Sequence, residues 1–172
     1  MKSIQTFFCL LLCFGMLSKI GAAQLTREFD PPFPAAEFSL MDLDEKVHNL
    51  SDYKGKPLIV NFWATWCPPC RAEMPSMERA WQVIESEGIA MIGINVGEDF
   101  DQVFGFTADV EVSFPLLLDM DGQVTNTWPI QGLPTTYILN PDGEMVYRMI
   151  GAREWDDEEL LDAVRDLRQP QK

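Results

Sequence analysis

The chain has 172 residues, of which 47% are hydrophobic and 23% are charged. This composition is ordinary for a single globular domain with its own core, and it argues against a disordered chain or a repeat protein. The formal net charge is −14, which argues against nucleic acid and anionic lipid as partners, because both are bound through basic surfaces. The acidic side chains are expected to form a well-solvated surface.

The first 23 residues are typical of a secretory signal peptide. Lys2 precedes the apolar run Ile4–Leu17, and the small residues that end at Ala23 offer a cleavage site. The run is shorter than the roughly 20 residues of a membrane-spanning helix, and Lys19 interrupts its extension. Cleavage after Ala23 and a periplasmic location are therefore favoured over an uncleaved membrane anchor, which stays the alternative.

Removal of residues 1–23 would leave the mature chain with two cysteines. Cys9 and Cys13 lie inside the removed segment, and neither is preceded by the small residues expected before a lipid-modified cysteine. Cys67 and Cys70 remain. Export implies an oxidising compartment, in which a disulfide between them can persist.

The rest of the sequence predicts an extended lead-in, one domain and a short tail. The proline-rich residues 24–34 predict the lead-in, residues 35–168 predict the domain, and residues 169–172 predict the tail. Apolar runs and turn residues predict strands at 38–42, 47–50, 58–63, 89–95, 115–119, 135–139 and 144–150. Helical periodicity predicts helices from the end of the Cys-Pro-Pro-Cys turn to about residue 87, and at 100–110, 124–128 and 156–167.

This order of elements predicts an α/β fold. Strands that alternate with helices form parallel pairs covered on both faces, and the later hairpin adds antiparallel strands. We therefore expect a central mixed β-sheet flanked by helices on both faces, extended by an N-terminal β-hairpin. The buried strand 58–63 leads into the turn at Cys67, so this cysteine is expected at the N-terminus of the following helix.

The Cys-X-X-Cys spacing of Cys67 and Cys70 has several uses in proteins. Haem attachment needs a histidine after the second cysteine, where this chain has Arg71. A structural zinc ion usually needs two such pairs, and beyond this pair the mature chain has one histidine, His48, and no cysteine. A purely structural disulfide around so short a loop would contribute only about 2 kcal/mol in the chain-entropy model. The redox pair is therefore the favoured use.

Cys67 is the predicted nucleophile of this pair. The attacking species is the thiolate, and a free cysteine with a pKa of about 8.5 is only about 3% ionised at pH 7. The unpaired N–H groups and the dipole at a helix N-terminus favour the anion, and Pro68 and Pro69 stiffen the turn. Cys70 lies about one helical turn later, where its thiol can resolve a mixed disulfide.

Glu73 follows Cys70 by three residues and therefore shares a helix face with it. The spacing leaves two interpretations open. The carboxylate could raise the pKa of Cys70 and relay its proton, or it could be a solvated residue of the first helical turn. His48 is remote in sequence from the cysteines and is expected to be a surface turn residue.

The sequence around the cysteines resembles a known family. Residues 60–75 read Val-Asn-Phe-Trp-Ala-Thr-Trp-Cys-Pro-Pro-Cys-Arg-Ala-Glu-Met-Pro. Together with the motifs Asn95–Glu98 and Gly132–Thr136, they are similar to the extracytoplasmic thioredoxins of the TlpA/ResA type. The similarity implies a thioredoxin-like fold and thiol–disulfide exchange, with the Cys67–Cys70 disulfide as the redox group and with neither a cofactor nor a metal.

The resemblance also implies roles for individual residues. Pro134 matches a cis proline that faces the disulfide, and the backbone of Leu133 would pair with an extended substrate segment. The predicted substrate-contacting residues are Trp66, Pro68, Pro69, Leu133 and Pro134, and Trp63 would also flank the site. Asn61 stands where cytosolic thioredoxin has a buried aspartate, which suggests that Glu73 takes over the proton relay. Glu98 matches a further acidic position.

Members of this family usually reduce disulfides in exported proteins, often apocytochrome c before haem attachment, with electrons from a membrane thiol donor. We therefore expect an exported reductase, monomeric by default, with such partners. The motif alone is equally compatible with net oxidation, because the direction follows the potential of the pair relative to its partners. Two alternatives stay open: a thiol peroxidase, and a non-catalytic copper- or haem-handling chaperone, for which the nine methionines give a reason.

Overall fold

The structure is a computed structural model that describes residues 29–168. The predicted signal peptide (residues 1–23) and tail (residues 169–172) lie outside the described residues and stay predictions. Within residues 29–168, no helix is both long and apolar enough to span a membrane.

One mixed sheet forms the centre of the domain. Its strands are β1 (Phe33–Pro34), β2 (Ser39–Asp42), β3 (Val47–Asn49), β4 (Leu58–Trp63), β5 (Ala90–Val96), β6 (Leu116–Asp119), β7 (Thr135–Leu139) and β8 (Glu144–Ile150). The helices are α1 (Pro68–Ile84), α2 (Phe100–Thr107), α3 (Gln123–Thr127) and α4 (Glu158–Asp166). The strand order is β1-β8-β7-β4-β5-β6-β2-β3. Pairing is parallel from β4 through β5 to β6 and antiparallel elsewhere, which confirms the predicted mixed α/β sheet.

The continuous apolar runs of the sequence become the central strands. Every residue of β4 is buried, as are the first six of β5, because helices cover both faces of a sheet built from parallel crossovers. One face packs against α1, α2 and α4, through residues such as Met77, Val103 and Leu161. The other face packs against α3 and the segment 29–40, through Val124 and Phe38. Helices therefore flank the sheet on both faces, as predicted.

The N-terminal hairpin of β2 and β3 extends the sheet beyond β6. His48 lies in β3 and is buried. Its Nε2 lies 2.7 Å from Asp42 Oδ2, and its Nδ1 lies 2.6 Å from the Tyr53 hydroxyl. The prediction of a surface turn residue was wrong, since a histidine with two polar partners can be buried without leaving a ring nitrogen unpaired.

The helix boundaries differ from the predicted ones at the functional end of the domain. α1 begins at Pro68, so Pro68, Pro69 and Cys70 lie in the first turn of the helix and only Cys67 precedes it, as the N-cap residue. Proline suits this position because the N–H of the first helical residue has no intrahelical acceptor. α1 ends at Ile84, and a short 3₁₀ segment, Glu85–Glu87, continues to Gly88, whose φ of 77° ends it. α2 ends at Thr107 and not at residue 110.

Candidate active site

The two cysteines sit where β4 passes into α1. The chain leaves β4 after Trp63 and makes a turn in which the Cys67 N–H donates to the Ala64 carbonyl at 3.2 Å. Cys67 is the N-cap residue of α1, with extended φ and ψ of −90° and 105°. Its Sγ accepts a hydrogen bond from the Cys70 N–H at 3.3 Å. The local sequence thus places a sulfur where helix N-termini favour negative charge.

Cys67 and Cys70 form a disulfide, with their Cα atoms 5.3 Å apart. Cys67 keeps 4% of its surface exposed, whereas Cys70 is fully buried. Cys67 is therefore the more accessible of the two cysteines.

The surface around Cys67 carries the predicted substrate-contacting residues. Trp66 is 66% exposed, and Pro68 and Pro69 are exposed beside it. An exposed tryptophan next to a redox pair provides a large apolar contact area for a partner. The guanidinium of Arg71 lies 5.4 Å from the Phe106 ring centroid.

Pro134 lies at the same end of the sheet as the cysteines. The Leu133–Pro134 peptide bond is cis, as the resemblance implied. β7 pairs with β4 so that Thr135 lies opposite Phe62, which puts the preceding residues 133 and 134 beside the turn after β4. Pro134 is buried and Leu133 is half-buried, and the Pro134 carbonyl accepts from the Gly151 N–H at 2.9 Å.

Trp63 differs from Trp66 in being fully buried. It packs on Phe106, with ring centroids 5.0 Å apart, and its indole N–H has no hydrogen-bond partner among residues 29–168. Trp63 therefore lies in the core and not on the exposed surface of the site, and it belongs to the same buried apolar cluster as Cys67 and Cys70.

Glu73 is buried beneath the active-site end of α1, with 1% of its surface exposed. Its Oε1 accepts from the Asn61 amide at 2.8 Å, and its Oε2 accepts from the Trp155 indole at 3.0 Å and from the Arg153 backbone N–H at 3.2 Å. Burial raises the pKa of Glu73, and the bonds from Trp155, Asn61 and Arg153 offset part of that rise. The solvated interpretation of Glu73 was therefore wrong.

The position and contacts of Glu73 suit both a chemical and a structural role. A carboxyl group whose pKa is raised by burial is better suited to accept a proton than one with an ordinary pKa. The same group also attaches the segment 153–155 to α1, assisted by the Ser76 hydroxyl, which accepts from the Trp155 N–H at 3.1 Å. Asn61, which cannot titrate, orients the carboxylate from β4.

Glu98 was identified from the sequence as an acidic position of the family, but its hydrogen-bond partners were not predicted. Its Oε2 accepts from the Thr65 N–H at 2.6 Å and from the Asn95 amide at 2.7 Å, and its Oε1 accepts from the Thr65 hydroxyl. The motif Asn95–Glu98 was visible in the sequence. Thr65 was not selected, because the bond joins residues 33 positions apart.

No metal site accompanies this arrangement in residues 29–168, since no group of three or more His, Cys, Asp or Glu side chains is placed to hold an ion. The chemistry that the described groups can perform is thiol–disulfide exchange. A cysteine pair at the start of a helix, beside a cis proline on a mixed sheet, defines a thioredoxin-like redox protein.

Comparison with known proteins agrees with this class. The AhpC/TSA family matches residues 33–148. A relative named thiol-disulfide oxidoreductase ResA, from Bacillus subtilis, is 40% identical over 117 residues, 68% of this chain and 65% of its own length. A second ResA, from Geobacillus kaustophilus, is 37% identical over 132 residues, 76% of each chain. A putative thiol:disulfide interchange protein DsbE from Chlorobium tepidum has a TM-score of 0.74 at 26% identity, over 80% of this chain and 97% of its own.

The chain belongs to the AhpC/TSA family of thioredoxin-like proteins. Within that family it is similar to the ResA proteins, and it is a thiol–disulfide oxidoreductase. The chain spans slightly less than two thirds of the Bacillus subtilis protein, at 65%.

Proposed function

We propose that this chain is an exported reductase of disulfides in other extracytoplasmic proteins, with Cys67 as the nucleophile and Cys70 as the resolving thiol. The observation that supports these roles is the unequal position of the two sulfurs. Cys67 caps α1 and keeps 4% of its surface exposed, whereas Cys70 is fully buried. Because a helix N-terminus stabilises a thiolate, we expect the more accessible cysteine to be also the better nucleophile.

The proposed reaction exchanges one disulfide for another. The Cys67 thiolate attacks one sulfur of the substrate disulfide, forms a Cys67–substrate bond, and releases the other substrate sulfur as a thiolate, which takes up a proton. Cys70 then loses its proton and attacks Cys67 Sγ, which forms the Cys67–Cys70 disulfide and releases the second substrate thiol. A dithiol donor must return two electrons and two protons to restore the enzyme.

Glu73 is the proposed acceptor of the Cys70 proton. It lies three residues further along α1, on the buried side of the helix. Burial raises its pKa, which brings a carboxyl group closer to the pH at which proton transfer is efficient. Its hydrogen bonds to Asn61 and Trp155 fix its orientation.

The proposed substrate surface consists of exposed apolar side chains and one backbone segment. Trp66, Pro68 and Pro69 supply the apolar contacts. The backbone at Leu133, before the cis Pro134, would pair with an extended substrate segment. Main-chain pairing accepts many sequences, which suits an enzyme with several protein substrates.

Three parts of the proposal rest on the sequence and on its resemblance to the extracytoplasmic thioredoxins. These parts are the export of the chain, its partners and the direction of electron flow. The signal-like residues 1–23 support export to the periplasm. The resemblance to extracytoplasmic thioredoxins supports reduction of substrates such as apocytochrome c and a membrane thiol donor. The acidic surface, with a chain net charge of −14, suits a protein or peptide partner and not nucleic acid.

Trapping of the mixed disulfide tests the two cysteine roles. Cys70→Ser should accumulate a covalent adduct with a disulfide-bonded peptide, because the attack by Cys67 proceeds and its resolution does not. Cys67→Ser should form no adduct and should reduce the peptide at least about a thousandfold more slowly than the wild type. Mass spectrometry of the non-reduced products measures both. An adduct on Cys70 in the Cys67→Ser variant, or wild-type turnover by that variant, would contradict the assignment.

A further inference from the structure

A carboxylate without a counter-ion is buried beside the turn that carries the cysteine nucleophile. Glu98 is 3% exposed, and it forms no ion pair with a lysine, arginine or histidine of residues 29–168. Burial of a carboxylate is unfavourable unless hydrogen bonds compensate it. Here three donors do so: the N–H and the hydroxyl of Thr65, and the amide of Asn95.

Two of these three bonds hold a single residue of the active-site turn. Thr65 is the second residue of the turn that the Cys67 N–H closes onto Ala64. Its carbonyl also accepts from the Arg71 guanidinium at 3.5 Å. With its N–H and hydroxyl on Glu98, Thr65 fixes the direction in which the chain continues into Trp66 and Cys67.

Glu98 itself is mounted on the sheet. Asn95, the third donor, lies in β5 directly opposite Trp63 of β4. Gly97, with a φ of 75°, turns the chain after β5, and its N–H donates to the Asp119 carbonyl at 3.0 Å. The carboxylate is therefore carried by a rigid part of the fold, and it restrains the turn from that side.

We propose that Glu98 is a positioning residue of the redox site, whose carboxylate holds Thr65 and thereby keeps Cys67 Sγ at the N-terminus of α1 and Trp66 on the surface. The inference rests on the proposed function, since it assigns Glu98 a role in the attack by Cys67. Its effect is exerted through the hydrogen bonds to Thr65 and not by contact with either sulfur.

Glu98→Ala removes all three bonds. The turn can then depart from the geometry that keeps Cys67 at the helix end, so the thiolate loses part of its stabilisation. We expect the pH at which half of Cys67 is thiolate to be about 0.5–1 higher than in Glu98→Gln, which lacks the same negative charge but can keep the contacts. We also expect the reduced enzyme to attack a synthetic peptide disulfide about tenfold more slowly, since small misplacements of a nucleophile are costly.

Glu98→Gln should preserve the site, because an amide can bond to the same three groups, with the bond to the Thr65 hydroxyl reversed in direction. Its oxygen can accept from the Thr65 N–H and from Asn95, and its NH₂ group can donate to the Thr65 hydroxyl, whose oxygen has free lone pairs. We expect the rate of this variant to stay within about threefold of the wild type. Its half-thiolate pH should be equal to or below that of the wild type, because a nearby negative charge has been removed.

Asp119→Ala is the matched control. Asp119 is also fully buried, and it also holds a threonine, by accepting from the Thr125 N–H at 2.7 Å and from the Thr125 hydroxyl at 2.6 Å. Those bonds lie at the start of α3, on a different part of the chain from the cysteines, and the backbone carbonyl of residue 119 that accepts from the Gly97 N–H is kept in the alanine variant. Asp119→Ala should lower the free energy of unfolding, as Glu98→Ala does, and should keep the wild-type thiolate titration and rate.

The test measures thiolate absorbance near 240 nm against pH, and the rate with the peptide, for the four reduced proteins at a temperature at which all are folded. A Glu98→Ala variant with the titration of Glu98→Gln and a wild-type rate would overturn the proposal. So would a Glu98→Gln variant as impaired as Glu98→Ala, or equal losses in Asp119→Ala. If Glu98→Ala does not fold, Thr65→Val decides the question: the proposal predicts a rate about threefold lower, and an unchanged rate contradicts it.

These outcomes are separable from a failure of the proposed function. If the wild-type protein proves to be an oxidant, the half-thiolate pH of Cys67 in Glu98→Ala and Glu98→Gln still tests the positioning role. If the wild type reduces disulfides and Glu98→Ala does so equally well, the positioning role alone fails.

Discussion

Asn61 and Glu73 form a buried pair that can serve both protonation states of the carboxyl group. The Asn61 NH₂ group donates to Glu73 Oε1 at 2.8 Å and to Thr136 Oγ1 at 2.9 Å, while Asn61 Oδ1 has no partner in the described residues. A half-turn of the amide would present Oδ1 to a protonated Glu73. An ionised aspartate at this position could not donate a hydrogen bond to Glu73, whereas asparagine can. This difference explains why an asparagine suits position 61 when Glu73 is buried beside it.

The raised pKa of Glu73 predicts a pH-dependent cost to stability. A carboxyl group with a folded-state pKa above its unfolded value of 4.5 stabilises the fold most below that value, and this contribution is lost as pH rises through the folded pKa. The unfolding free energy of wild type relative to Glu73→Gln should therefore fall from pH 4 to neutrality, by about 1.4 kcal/mol for each pH unit between the two pKa values. Urea unfolding of both proteins in their disulfide forms measures it.

The Gln variant is suited to this comparison because the free Asn61 Oδ1 can accept from its NH₂ group after the amide half-turn. A difference between the two proteins that stays constant across this pH range would show that burial does not raise the pKa of Glu73. A difference that moves in the opposite direction would show that its hydrogen bonds outweigh its burial.

The hairpin of β2 and β3 is stabilised by the hydrogen bonds of His48 to Asp42 and Tyr53. In the strand order, β6 and β5 separate this hairpin from β4, which leads to the cysteines. His48→Leu leaves the carboxylate of Asp42 without its buried partner, so we expect a loss of about 2–3 kcal/mol of unfolding free energy. Tyr53→Phe removes only the bond to His48 Nδ1 and should cost about 1 kcal/mol. Urea denaturation measures both losses.

Neither hairpin variant should change the rate of disulfide reduction, because two strands stand between the hairpin and β4, which leads to the turn at Cys67. A rate that falls in proportion to stability, measured well below the unfolding transition, would show that the hairpin contributes to the redox site. Such a result would revise its role as an extension of the sheet edge.

The helix α1 and the strands β4 and β5 were predictable because their signals are local. Uninterrupted apolar runs fix the buried strands, and the cysteine motif followed by helical periodicity fixes the position of Cys67 at a helix N-terminus. The sequence predicted that α1 begins after the Cys-Pro-Pro-Cys turn, whereas the helix begins at Pro68. Proline at the first helical position is itself a helix signal that could have placed this start correctly.

The contacts that complete the site were not predictable, because they join distant parts of the chain. Glu73 bonds to residues 80 and 82 positions later, and nothing near Arg153 or Trp155 in the sequence marks them as its partners. His48 was misplaced although its partners Tyr53 and Asp42 are only five and six positions away, because nothing in the sequence marks these three side chains as a hydrogen-bonded set. Periodicity identifies faces of elements, whereas the pairing of buried polar groups is decided by packing.

The domain exchanges electrons with its partners, and the direction of electron flow depends on the reduction potential of its cysteine pair relative to theirs. Local geometry supports the proposed attack by Cys67 and resolution by Cys70, but the same geometry can pass electrons in either direction. The difference lies in the stability of the dithiol relative to the disulfide. A reductase in an oxidising compartment must give up its electrons readily, so its disulfide form has to be the more stable one relative to those of its substrates.

The measurement that tests the proposed reductase most directly is the reduction potential of the Cys67–Cys70 pair in the purified protein, equilibrated against glutathione or dithiothreitol buffers and followed by thiol labelling. A reductase of exported proteins should have a strongly reducing value, near or below the roughly −270 mV of thioredoxin. A value near the roughly −120 mV of a strong periplasmic oxidant would leave the fold and both cysteines in place and would contradict the direction of electron flow.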